Sequence, residues 1–361
     1  MTNPEIDPAE YECAHVTCAD AIDIITAREV PLGGLRAMTV RRTLPQRKRS
    51  LIGPWCFVDH FGPDDVAATG GMQVARHPHT GLATVTLLFH GEIEHIDSTG
   101  FSNIVRPGEV NLMIAGSGIS HSEFSSDATE QLHGVQLWYA LPDALRNGMP
   151  ESQHFVPTWA EVPGGQVLTY LGSFAGQSSP VDTRVPAHAA EILVDAGQTV
   201  EVDLDASCEH GVLLDSGALT LGVRDHEQTV APDELAYLPS GPDALRLTAG
   251  PEAPARVIVV GGRPFGESIV MWWNFVGRSH DEIVAYRRAW QTEIGRAEDS
   301  DSADGAGAAE PLGDGEGGDT IAEPVGDGVE GPRFGTFPPD QPEPIPAPPL
   351  PRVRIKPRRQ S

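Results

Sequence analysis

Between about Pro31 and Leu141 the chain alternates short apolar or β-branched runs with clusters of turn-forming residues. Ala83–Phe89, Ser102–Val105 and Gly134–Tyr139 read as strands, because β-branched and aromatic side chains fit a pleated, half-buried surface. Asp97-Ser98-Thr99-Gly100, Arg106-Pro107-Gly108-Glu109 and Gly116-Ser117-Gly118 divide them with turn chemistry. Many short strands at such spacing predict an antiparallel barrel or sandwich. A second stretch, from about Gly165 to Gly262, repeats the plan. Gly211–Gly222 reads as strand, turn, strand, and Ala231–Pro239 parallels Arg106–Ile114. The pattern predicts an all-β protein of two similar domains, the product of an internal duplication.

The period then changes. Ser279-His280-Asp281-Glu282 has the form of a helix capping box, and Ile283, Tyr286, Trp290 and Ile294 recur on one helical face. An amphipathic helix packed on a barrel is expected there. Beyond Arg296, residues 297–330 hold eleven acidic residues and no Lys or Arg, and residues 332–351 are rich in proline. Such a composition buries too little apolar surface to offset the entropy of ordering, so a disordered tail is expected over 297–361. The resulting division is a lead-in at 1–30, a first barrel at 31–145, a second at 160–270, a strand and helix extension at 271–296, and the tail.

Charge excludes some functions. With 25 Lys and Arg against 51 Asp and Glu, the chain lacks the basic surface that direct nucleic-acid or anionic-membrane binding needs. The basic cluster Arg41, Arg42, Arg47, Lys48 and Arg49 reads as a solvated loop. Met1–Val16 has no apolar core of a signal peptide, and no apolar run reaches the ~18 residues of a membrane helix, so a cytoplasmic protein is expected. Cys13, Cys18, Cys56 and Cys208 are too few and scattered for a disulfide framework.

The chemistry lies in the histidines. Of thirteen, seven (His60, His77, His79, His90, His95, His121 and His133) fall between positions 60 and 133. His77-Pro78-His79 and His121-Ser122-Glu123 are both i, i+2 pairs, which on a strand share one face. Two such faces turned inward offer three imidazoles and one carboxylate to a single ion, a set that borderline divalent metals such as iron accept. His60, His90, His95 and His133 read as hydrogen-bonded core or surface residues, with support of the ligands as the alternative. Gly116-Ser117-Gly118 lacks the third glycine of a dinucleotide fingerprint, and Ser120 lacks a nucleophile elbow around it.

Gly71-x5-His77-x-His79 is the opening of the cupin signature. The longer segments Gly53–Pro63, His77–Gly81, Gly91–Ser98, Ala115–Glu123, Leu132–Trp138 and Gly261–Glu267 resemble the pirin family. The likeness covers roughly Pro31 to Ile294. It implies two cupin barrels (a bicupin), with iron, Fe(2+) or another divalent ion, bound only in the first, on His77, His79, His121 and Glu123. Departures exist. Ala83 and Thr84 stand where other cupins carry a further ligand Glu, which leaves Glu123 the only acidic candidate nearby. Thr80 and Ser117 replace a residue that is basic in many pirins, and His90 replaces a Glu. The second barrel has Glu209-His210 but no His-x-His, and is expected to be metal-free.

The resemblance implies two functions. One is a non-haem iron dioxygenase of the quercetin 2,3-dioxygenase type, acting on a flavonol or similar enol or catechol, with Glu123 as the catalytic base. The other is a metal-dependent, redox-responsive regulator that binds a protein partner. A third reading is a metal that merely stabilises the barrel.

Overall fold

The computed structural model describes residues 22–32, 38–296 and 332–358. The lead-in up to residue 21, with Cys13 and Cys18, and the acidic stretch 297–331 lie outside the described residues. In chain order the first half holds β1 (Asp23–Ile25), β2 (Arg28–Leu32), β3 (Met38–Leu44), β4 (Trp55–Asp65), helix α1 (Val66–Thr69), β5 (Gln73–His79) and β6 (Leu82–His90). It continues with β7 (Ile93–Asp97), β8 (Ser102–Val105), β9 (Val110–Ile114), β10 (Ile119–Ser125), β11 (Gln131–Ala140) and β12 (Glu151–Phe155). The second half holds β13 (Ala160–Val162), β14 (Gly165–Leu171), β15 (Ser173–Phe174), β16 (Gln177–Ser178), β17 (Ala187–Val194), β18 (Thr199–Asp203) and β19 (Glu209–Ser216). There follow β20 (Leu219–Val223), β21 (His226–Val230), β22 (Leu235–Leu238), β23 (Ala244–Ala249), β24 (Ala255–Gly262), β25 (Val270–Trp272), β26 (Phe275–Gly277) and helix α2 (His280–Glu293).

Each half is a two-sheet antiparallel jelly roll, the open form of a cupin barrel. The first has a seven-stranded sheet, β12-β9-β6-β11-β4-β3-β2, and a four-stranded sheet, β5-β10-β7-β8. The second has β1-β22-β19-β24-β17-β14-β13 and β18-β23-β20-β21. The two orders correspond strand for strand, as an internal duplication requires. The correspondence holds at the edges by exchange: β1, from the start of the chain, pairs with β22 of the second half, and β12 fills the same place beside β9. The first element of the presumed lead-in is therefore part of the second domain's sheet.

Period-two alternation decides what each face touches. On β6 and β11, Val85, Leu87, Val135, Leu137 and Tyr139 pack with Leu168, Tyr170, Ala189, Leu213 and Ile258 of the second half. The two large sheets thus join face to face. At this seam Trp55 Nε1 donates to the Gly261 carbonyl at 3.0 Å, and the Gly53 amide donates to Glu209 Oε2 at 2.7 Å. Gly53 has φ +52°, and a Cβ there would meet the Gly262 oxygen at 2.7 Å, so only glycine fits. Inside the second half, between its sheets, the filling is apolar: Val200, Val202, Leu245 and Leu247 meet Ile192, Leu214 and Val257.

Helix α2 forms as its sequence predicts. The Ser279 hydroxyl accepts the Glu282 amide at 3.2 Å, and Ile283, Tyr286 and Trp290 are buried. Glu282 reaches back one residue further than a capping box does, to the Arg278 amide at 2.7 Å. No helix among the described residues is long and apolar enough to cross a membrane. Cys56 and Cys208 are buried free thiols.

The tail departs from expectation. Residues 332–358 do not stand off the body; they lie along it. Phe334 is fully buried and Ala347 nearly so, in a cluster with Trp272, Trp273, Phe275 and Trp290. The prediction of disorder from 297 onward is corrected for this part. A few apolar side chains spaced along stiff proline-rich backbone suffice, because such backbone has less entropy to lose on docking.

Candidate metal centre

Three neighbouring strands of the first four-stranded sheet build the site. Strand β10 lies between β5 and β7, with His121 opposite His77 on one side and Asp97 on the other. Glu123 stands opposite His95. Between His121 and Glu123 the β5 pairing slips, so that Glu123 meets Val74 and β5 carries an extra residue. This bulge sits just ahead of His77 and turns it, the usual use of a bulge beside a functional site. His77 Nδ1 donates to the Ala75 carbonyl within the bulge, at 2.9 Å, which leaves Nε2 free to bind.

All four predicted ligands line one cavity and all are buried. His79 Nε2 and His121 Nε2 face each other at 3.0 Å. That is the spacing of two donors at right angles, each ~2.1 Å from a shared ion. His77 lies with its ring centre 4.3 Å from that of His121. Donor atoms of His77, His79 and His121 form one cluster, and those of His95, His121 and Glu123 form an overlapping one.

The electrostatics suit a cation. Burial pushes His77 down to about 4, and burial with the neighbouring imidazoles holds His79 and His121 well below the usual range. They are therefore neutral, with lone pairs available, at ordinary pH. Burial pushes the Glu123 carboxyl up, opposed in part by His95 and by the Thr86 hydroxyl. Among the described residues no Lys or Arg pairs with Glu123. Three clustered neutral imidazoles, with a buried carboxyl near His121 on the same cavity wall, form a donor set suited to a divalent ion.

Behind the donors sits a second layer that sequence reading left ambiguous. His95 Nδ1 lies 3.3 Å from His121 Nδ1, and His95 Nε2 lies 3.4 Å from Asp97 Oδ2. Burial raises Asp97, but hydrogen bonds from His95, Ser152 and Thr99 outweigh it and hold the carboxyl low. Thr86 Oγ1 stands 3.2 Å from Glu123 Oε1 and 2.9 Å from the Gln136 side-chain amide. With one proton to give, Thr86 donates to Glu123 when the amide turns its NH2 toward Thr86. His60 and His133 do not support the ligands. They bind Asp215 of the second half at 2.8 and 2.6 Å, and His60 Nδ1 also meets Asp233 at 2.8 Å. His90 is exposed.

The donors open into a cavity lined also by Phe57, Met72, Val74, Gln136, Trp138, Asn274 and Ile345. Phe57 and Trp138 stack at 4.0 Å and 10°, a rigid aromatic wall. Both side-chain polar atoms of Asn274 are buried without a partner. These wall residues come from five separate places in the chain, so spacing along the sequence held no sign of them. In the second half, β18 and β23 occupy the places of β5 and β10 but carry Thr199-Val-Glu-Val-Asp203 and Ala244-Leu-Arg-Leu-Thr-Ala249, without histidine.

Comparison with known proteins agrees with this fold. The family model Pirin matches residues 37–139, and the Pirin C-terminal cupin domain matches residues 189–294. A Pseudomonas aeruginosa protein named "Putative quercetin 2,3-dioxygenase" is 40% identical over 290 residues, covering 80% of this chain and 89% of its own. A Caulobacter vibrioides pirin-like protein is 31% identical over 283 residues, covering 75% of this chain and 93% of its own. The crystal structure of a quercetin 2,3-dioxygenase from Acinetobacter baumannii superposes with a TM-score of 0.70 at 32% identity, over 82% of this chain and 97% of that one.

Proposed function

The chain belongs to the pirin family, and on that premise we propose that it is a non-haem iron dioxygenase that opens the heterocycle of a flavonol or a similar enol. The observation that carries this reading is that three imidazoles and one carboxylate share the wall of a cavity whose other lining residues, apart from Gln136 and Asn274, are aromatic or apolar. His77, His79, His121 and Glu123 would hold the ion. A bound Fe(2+) would supply a positive charge that acidifies a substrate hydroxyl and the redox chemistry that a reaction with O2 needs.

The remaining work falls to the chain's own side chains. Glu123 takes the hydroxyl proton; its burial raises its proton affinity, and Thr86 holds its orientation. The stacked Phe57 and Trp138 offer a flat apolar face to a planar ring system. Gln136 and the unpaired amide of Asn274 offer hydrogen bonds to substrate oxygens in the cavity. Met72, Val74 and Ile345 exclude water from the reacting centre.

The test is turnover. Protein loaded anaerobically with Fe(II), mixed with quercetin and O2, should consume the flavonol and release one CO for each molecule cleaved. Loaded protein that turns over neither flavonols nor catechols, yet captures a protein partner only when metal is present, would overturn the enzyme reading.

A further inference from the structure

The stretch 332–358 lies beyond the family match, which ends at residue 294, yet it reaches the metal cavity. Its attachment is specific. Arg333 Nη1 donates to the Ser117 carbonyl at 2.7 Å, and Ser120 Oγ donates to the Phe334 carbonyl at 2.8 Å. Arg76 Nη2 donates to the Gly335 carbonyl at 2.9 Å, and the Arg76 carbonyl accepts the Ile345 amide at 2.8 Å. The Arg76 guanidinium lies between the rings of Trp290 and Phe337, 5.2 and 5.1 Å from their centres. Arg76 and Ser120 are the residues immediately before His77 and His121. The segment is therefore fastened to the two strands that carry the donors.

The segment Pro344-Ile345-Pro346-Ala347-Pro348 explains why one side chain can be held at the cavity. Three of its five residues have no amide hydrogen and a fixed φ. The two amides that remain are both used, Ile345 to Arg76 and Ala347 to Gln291 Oε1 at 2.9 Å. The Ile345 carbonyl accepts Trp290 Nε1 at 2.8 Å. Ile345 stands between two prolines with both backbone groups bonded, and its side chain lines the cavity.

We propose that residues 332–358 form a strap that closes one side of the metal cavity, and that Ile345 sets the size of the planar substrate admitted and restricts access to the ion. The size-selecting half rests on the flavonol reading above; the access half does not. Ile345 is a specificity residue, with no part in the chemistry.

The test uses full-length protein loaded with zinc, which is redox-inert, in variants Ile345→Ala, Ile345→Trp and Phe334→Ala. Two rates or affinities are read: zinc extraction by excess EDTA, and quercetin binding followed by its absorbance. Ile345→Ala and Phe334→Ala should release zinc several-fold faster at unchanged stoichiometry. Ile345→Trp overfills the cavity and should weaken quercetin about tenfold. Equal extraction rates in wild type and both alanine variants, or an Ile345→Trp protein that binds quercetin as wild type does, overturn the strap. If Phe334→Ala fails to fold, Ile345→Ala decides the extraction arm alone. A wild type that binds no quercetin removes the flavonol reading, while zinc extraction still decides whether the strap guards the ion.

Discussion

His95 Nδ1 lies 3.3 Å from Nδ1 of His121, on the side of that ring away from His79. With His95 Nε2 turned to Asp97, the proton between the two rings belongs on His121 Nδ1, and His121 Nε2 keeps the lone pair a metal needs. Removing this support should cost the ion. His95→Leu is expected to lower zinc or iron affinity about 10- to 100-fold with the fold retained. Competition against a chelator of known affinity measures it, and an unchanged affinity would sink the relay.

The seam between the halves carries its own pH dependence. His60 and His133 from the first half meet Asp215 from the second, and Asp233, Arg41 and Arg256 complete the surroundings. Burial lowers His60, but Asp215 and Asp233 outweigh it, so its pKa in the fold lies above the ordinary 6.5. Burial raises Asp215, but His133 and His60 outweigh it, so it lies well below the ordinary 3.8. The His60 contribution is complete below 6.5 and is lost as pH rises through the raised value. The Asp215 contribution is complete above 3.8 and is lost as pH falls through the depressed value. The contact is therefore strongest between these limits. Asp215→Asn should destabilise the protein by about 3 kcal/mol at pH 6, and by less at pH 9. Denaturant melts at both pH values check it; an equal loss at both would remove His60 from the account.

Helix α2 supplies Trp290 and Gln291 to the strap, so its cap matters to more than the helix. Ser279→Ala removes the acceptor for the Glu282 amide and should cost about 1 kcal/mol in a denaturant melt. A loss below a few tenths would mean that Glu282, through Arg146 and the Arg278 amide, fixes the helix start unaided.

Much of this was legible in the sequence, and the exceptions have physical causes. Period-two alternation and turn clusters placed the strands, because burying one face of each strand forces that pattern. The i, i+2 spacing put His77 with His79 and His121 with Glu123 on shared faces. His95 and Asp97 have the same spacing, but nothing local says that β7 lies beside β10. The motifs Gly53-Pro-Trp55 and Gly261-Gly262 marked the family without revealing their task, which is to meet each other at the seam. The strap was misread because composition averages over a segment, and Phe334, Ile345 and Ala347 are too few to move an average. Their effect depends on the aromatic cluster waiting on β25, β26 and α2.

The sharpest division between a ligand and a catalyst falls at Glu123. His77, His79 and His121 can hold a divalent ion by themselves, since three imidazoles are a sufficient set for many sites. They offer no anionic base, and Ala83 and Thr84 supply no other carboxylate nearby. Glu123→Gln keeps the size, one coordinating oxygen and the Thr86 contact while removing the charge. The variant should retain most of its iron and lose roughly two or more orders of magnitude in flavonol turnover, the range of a lost general base. His121→Ala, by contrast, should lose stoichiometric iron itself, because it removes the imidazole that stands between His79 and His95. Iron content by metal analysis and turnover by CO release separate the two. Turnover like wild type in iron-loaded Glu123→Gln would leave the carboxylate a ligand only, and would move the proton to a base outside this set.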